Sequence, residues 1–201
     1  MKIRALFFVS VLLILPSLVS ADDSRRGGWY IGFGIGGGLN KSFNLPNESS
    51  VYDNWLSGTS QQPKFVTNFK VGGTLTSRFL IGMDITMMTQ SGTTSGGFSS
   101  NIAITNSFLM LTFFPFEEGL FFRAGGGFSS LEASKSDSIY QSTFHSALGY
   151  GASAGLGYAF WLGKSFNMSI NLDHSRQFYS GNAAGYNRSQ FTSIYLGFDW
   201  F

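Results

Sequence analysis

Large apolar residues alternate with small or polar ones along most of the chain, with a period of two. Trp29, Ile31, Phe33 and Ile35 stand against Gly32, Gly34 and Gly36, which predicts a strand with one bulky face and one bare face. Over residues 39–63 the pattern dissolves into Asn, Ser, Gly and Gln, a long loop. It resumes with Phe65, Thr67, Phe69 and Val71 opposite Val66, Asn68, Lys70 and Gly72. A three-residue turn over 76–78 then leads to Phe79, Ile81, Met83, Ile85 and Met87 opposite Leu80, Gly82, Asp84, Thr86 and Met88. That turn sets Lys70 directly across from Asp84.

After a Gly/Ser/Thr loop over 90–100, a fourth segment sets Ile102, Ile104, Phe108 and Met110 against Ala103, Thr105 and Ser107. Asn106 falls on its bulky face, and both faces are apolar from Leu109 to Phe114, so the pattern does not fix the register there. Pro115 and Gly119 bracket a tight hairpin turn. The fifth segment carries Phe122, Ala124, Gly126 and Phe128 against Arg123, Gly125, Gly127 and Ser129, and a polar loop is expected over 130–142. The sixth alternates most cleanly, with Phe144, Leu148, Tyr150, Leu156, Tyr158 and Phe160 against a row of His145, Ala147, Ser153 and four glycines. A short turn over 161–164 precedes Phe166, Met168, Ile170 and Leu172, opposed by Asn167, Ser169, Asn171 and Asp173. The last loop is expected over 176–188. Ile194, Leu196, Phe198 and Trp200 then oppose Ser193, Tyr195, Gly197 and Asp199.

Eight such segments of about ten residues suit strands that cross a bilayer at a tilt, and the connections alternate strictly between long and short. The predicted fold class is therefore all-β, an eight-stranded antiparallel up-and-down transmembrane β-barrel. A soluble barrel would turn its large residues inward and its polar ones outward. Here the polar face is the small one. Hydrocarbon offers no partner to an open sheet edge, so the eighth strand must pair with the first. The expected aromatic girdles are Trp29, Phe79, Phe116, Trp161, Phe166 and Trp200 at the short-turn end, and Phe144, Phe178, Tyr179 and Phe191 at the other.

Residues 1–21 carry Lys2 and Arg4, an apolar run too short to span a membrane as a helix, and small residues at Ser20 and Ala21. They predict a cleaved secretory signal peptide, followed by a short exported lead over 22–28 and a barrel domain over 29–201. Without Lys2 and Arg4, the 13 basic residues fall to 11, equal to the 11 acidic ones, so no nucleic-acid partner is expected. The chain has no cysteine, hence no disulfide framework. Its 26 glycines in 201 residues, beside 17% aromatic residues, fit membrane β-structure rather than a disordered chain or an ordinary helical domain.

Three stretches resemble the small outer-membrane barrels of the OmpA/OmpX-like kind. They are Phe114-Pro115 with Gly119-Leu120-Phe121-Phe122-Arg123-Ala124-Gly125, Tyr158-Ala159-Phe160-Trp161-Leu162-Gly163 leading into Phe166, and the terminus Phe198-Asp199-Trp200-Phe201. The resemblance implies a bacterial outer membrane. It also implies that Ile194, Leu196, Phe198, Trp200 and Phe201 form the signal to the barrel-assembly machinery. Phe201 is out of phase with the others, so either Trp200 is the outward anchor or a bulge resets the register.

Chemistry is sparse. The inward charges Lys70, Asp84, Arg123, Asp173 and Asp199 must pair if buried, and they are expected to form a structural ionic network filling the lumen. A narrow polar path for small or hydrophobic solutes is the alternative. Some barrels of this size modify lipid A with a His, a Ser and an acid; here His145-Ser146 and His174-Ser175 are strand neighbours facing opposite sides, and Ala147 and Arg176 stand two residues after each His. No catalytic, cofactor or metal site is expected. The expected partners are outer-membrane lipid, lipopolysaccharide and the assembly machinery, and the expected state is a monomer. Tyr52, Trp55, Tyr140, Tyr179 and Tyr186 enrich the outer loops for adaptable contact, which suits adhesion or resistance.

Overall fold

The computed structural model describes residues 26–44, 64–93, 99–136, 143–180 and 186–201. The predicted leader lies outside them, as do Tyr52, Trp55, Tyr140 and the side chains of Phe144, His145 and Tyr186. The strands are β1 (Trp29–Asn44), β2 (Lys64–Thr76), β3 (Phe79–Thr93), β4 (Ser99–Phe113), β5 (Leu120–Ser136), β6 (Thr143–Trp161), β7 (Phe166–Ser180) and β8 (Tyr186–Trp200). They form a closed antiparallel barrel in chain order. The seam runs from Ile31 opposite Trp200 to Asn44 opposite Tyr186, so neither β1 nor β8 is left with a free edge.

Most strands run further than the alternation alone suggests. Residues 39–44 belong to β1, residues 130–136 to β5, and β7 continues to Ser180. Polar residues at these ends still pair across the sheet once the neighbouring strand fixes the ladder. Ser130, for example, sits opposite Thr105 and Leu148.

The outer surface is apolar, with Ile31, Phe33, Phe69, Leu109, Leu156, Ile170 and Leu196 among many large residues left exposed. The interior is bulkier than expected, and β4 accounts for much of that. Its predicted outward face of Ile102, Ile104, Phe108 and Met110 points into the barrel, while Ala103, Thr105 and Ser107 point out. Asn106 decides this register. Facing inward, it accepts a hydrogen bond from Ser129 Oγ at 2.8 Å; facing hydrocarbon, its amide would go unpaired. Tyr179 and Phe191 are likewise corrected from the outer girdle to the lumen, where they are 8% and 3% exposed.

The glycine rows make room for these large side chains. A methyl on Gly34 would lie 2.7 Å from the Tyr195 ring, on Gly82 2.5 Å from the Tyr30 hydroxyl, and on Gly151 2.9 Å from the Phe108 ring. The terminus resolves as the first of its two alternatives. β8 reaches Trp200 with no bulge below Phe43 in its ladder with β1, and Trp200 faces out. Phe201 turns under the barrel, donates its N–H to Ser165 O at 2.9 Å, and stacks 5.5 Å from Tyr30.

Closure depends on close approach at the seam, where a methyl on Gly36 would meet the Ile194 carbonyl and lie 2.5 Å from Tyr195 Cα. Gly36→Val should therefore cost at least the ~1–3 kcal/mol of an overpacked core. The check is the urea midpoint of the heat-modifiable band of the refolded protein, which should fall.

Candidate functional site

The lumen is filled in layers. At the short-turn end, Tyr30, Leu80, Phe114, Phe121 and Ala159 cluster with Phe201 beneath them. At the long-loop end, Val66, Met88, Ile102, Ile104, Leu131, Ala147, Tyr179 and Phe191 form a second apolar plug. Between them lie the charges and a run of amides and hydroxyls.

Alternation places Lys70, Asp84, Arg123, Asp173 and Asp199 inward on five strands, and all five are buried. Arg123 on β5 is the hub. Its Nη2 pairs with Asp84 Oδ2 across β4, and its Nε lies 3.4 Å from Asp173 Oδ1 on β7. Lys70 and Asp84 are opposite each other in the β2–β3 ladder, yet Lys70 Nζ pairs with Asp199 Oδ1, at 3.4 Å. A side chain crossing the lumen is free to choose a partner beyond its ladder neighbour. Tyr195 completes the group: its hydroxyl donates to Asp173 Oδ2 at 2.7 Å, and its ring lies 5.7 Å from Lys70 Nζ.

Two cations face three carboxylates here, and a third cation comes from outside the strands. Arg26 in the lead folds under the barrel, with its guanidinium 3.5 Å above the Phe114 ring and Nη1 donating to Glu117 O. Burial lowers its pKa to about 10, partly opposed by Glu118 and Asp199, so it stays charged at neutral pH. Glu117 sits in the turn after β4 with a φ of 65°, held by Arg26 on its carbonyl and by Arg78 Nε, 3.1 Å from its carboxylate. Tyr195 was visible as an inward position of the last strand. Arg26 belongs to no alternating pattern, and its role had no signal in the sequence.

Above the ions, Asn68 donates to Thr86 at 2.8 Å, Gln177 to Ser175 at 2.7 Å and Ser189 to Gln177 at 2.7 Å. Arg123 lines both of two small cavities, each of about 20 Å³, room for about one water. The first is also lined by Lys70 and Asp199, the second by Asp84 and Asp173.

No protein-family model matches the sequence, and neither does any functionally curated protein. Solved structures do. The chain is similar to Neisserial surface protein A at 13% identity and a TM-score of 0.52, covering 86% of this chain and 96% of that one. It is similar to the attachment invasion locus protein Ail of Yersinia pestis at 11% identity and a TM-score of 0.57, covering 86% and 97%. This is the fold of the small eight-stranded outer-membrane barrels.

Outside the barrel, His174 is exposed and Ser175 buried, so adjacent residues do face opposite sides. The hydroxyl within reach of His174 is instead that of Thr192 on β8, 2.8 Å from Nδ1. Among the described residues no group of three or more His, Cys, Asp or Glu could hold a metal ion.

Removing the Arg123 side chain strands Asp84 and Asp173 in the interior. Arg123→Ala should lose ~3–5 kcal/mol of stability by urea unfolding in lipid vesicles. The triple variant Arg123→Met, Asp84→Asn, Asp173→Asn should recover most of it, because no unpaired charge is left.

Proposed function

We propose that this chain is a non-enzymatic integral protein of the bacterial outer membrane, a closed barrel that displays its long loops for adhesion or resistance and stabilises the envelope. The reading includes export by a cleaved signal peptide over 1–21 and insertion by the barrel-assembly machinery. A lumen plugged by apolar layers at both ends, inside a barrel with an apolar exterior, is the observation that carries it. Ligand pockets are typically hundreds of cubic ångströms, whereas each of the two cavities beside Arg123 has room for about one water. That supports a wall rather than a passage.

On this reading the long loops face outward and the short turns face the periplasm. Ail, named for attachment and invasion and solved with a heparin analogue, is a precedent for such a role on this fold. Catalysis finds little support. The His174–Thr192 pair has no carboxylate on the outward positions beside it, which are Ala154, Arg176 and Gln190.

Purified protein in planar bilayers should show no unitary conductance, and reproducible steps abolished by heat denaturation would overturn the closed-barrel reading. Cells expressing the protein should gain attachment to epithelial or matrix surfaces. Replacing residues 45–63 with a short Gly-Ser linker should remove that gain while heat-modifiable mobility is kept. Unchanged attachment would count against the longest loop as the displayed element.

A further inference from the structure

Arg26 reaches the mouth of the lumen through a turn of the chain at Gly27 and Gly28. Gly28 takes a φ of 87°, a left-handed backbone that glycine adopts without strain, and a methyl built there would meet nothing within 4 Å. Its carbonyl accepts the Thr74 N–H at 2.8 Å, so the chain is fixed to the wall on one side of this turn. The turn itself is unobstructed.

The seat of the guanidinium is built from the short-turn end of the barrel. Arg26 lies 3.5 Å from the Phe114 ring centroid and 5.3 Å from that of Trp161, and Nη1 donates to the Glu117 carbonyl. The side chain is buried, yet its Nε and Nη2 find no acceptor among the described residues. Water outside the barrel would hydrate both donors, so ring stacking and attraction to Glu118 and Asp199 work against their desolvation. Opposed contributions of this kind leave a small net hold. The first of the two cavities shares Phe114 with the seat and reaches up to Lys70 and Arg123. The apolar plug of the long-loop end lies on the far side of the ions.

We propose that Arg26 is a hinged stopper: turning on Gly27 and Gly28, it leaves a seat shaped for a guanidinium and opens the lumen to water and small solutes, from the short-turn end as far as Arg123. The proposal rests on the closed-barrel reading above and adds a moving part to it. With the far plug in place, the open form is a vestibule and not a passage.

The chain has no cysteine, so a single introduced thiol reports access. Ala159→Cys places one on the first cavity, and Ala147→Cys places one in the far plug. In the mature chain refolded in nanodiscs, the Ala159→Cys thiol should react slowly with iodoacetamide, a neutral reagent. Adding Arg26→Ala should speed the reaction roughly tenfold, about the factor for losing one desolvated cation–π contact. Phe114→Leu, which keeps Arg26 but removes the ring it sits on, should shift the rate the same way. Ethylguanidinium should refill the seat and slow the Arg26→Ala protein again, whereas urea at the same concentration should not. Unchanged labelling in both variants, or an equal acceleration at Ala147→Cys, would overturn the stopper. Acceleration that ethylguanidinium does not reverse would overturn the seat as a guanidinium site. Absence of a heat-modifiable folded band in the parent protein would sink the membrane-barrel reading itself, a result distinct from a folded barrel whose lower lumen ignores Arg26.

Discussion

Everything in this molecule depends on the closure of β1 onto β8. A backbone in hydrocarbon has no water to satisfy its N–H and C=O groups, and a sheet with two open edges would leave two rows of them unpaired. The seam satisfies both rows at once, and the glycines of β1 allow it. Gly32, Gly34 and Gly36 present almost no bulk to β8, whose Tyr195 and Asp199 lie over the space that a methyl would take. Low side-chain volume on one strand is thus what permits an aromatic ring and a carboxylate on the next.

Closing a barrel of eight strands creates an interior that side chains must fill. The chain fills it with a stack of chemically distinct layers. The apolar ends keep water from the middle, and in that drier middle the Arg123 pairs gain strength while any unpaired charge becomes expensive. Arg26, entering from below, stacks on Phe114 and interacts with the charges of Glu118 and Asp199. A segment outside the sheet thus reaches the ion network from the short-turn end.

The two surfaces of the wall divide the work. Inside, hydrogen bonds and ion pairs set the packing. Outside, the apolar belt gives way across β7 and β8 at matching positions, because the ladder holds His174 level with Thr192 and Arg176 level with Gln190. Positions 18 and 14 apart in the chain thereby stand side by side on the outward face.

By itself the sequence determined the strand count and the inward placement of Lys70, Asp84, Arg123, Asp173 and Asp199; the strict alternation of long and short connections did not hold, because the strands run on and leave five, six and five residues after β3, β5 and β7 against six after β4. Period-two patterning and isolated charges are local signals that survive without knowledge of neighbours. The orientation of β4 was beyond it: over 102–108 the large residues face the lumen against the pattern of the other strands, from Leu109 to Phe114 both faces are apolar, and only Ser129 on the adjoining strand shows why Asn106 must point inward. Tertiary structure likewise decided that Lys70 pairs with Asp199 rather than with its ladder partner, that Arg26 caps the barrel, and that Tyr179 and Phe191 leave the girdle for the lumen. Each of these depends on which side chains meet across a closed interior. Closure sets that distance, and no single strand carries it.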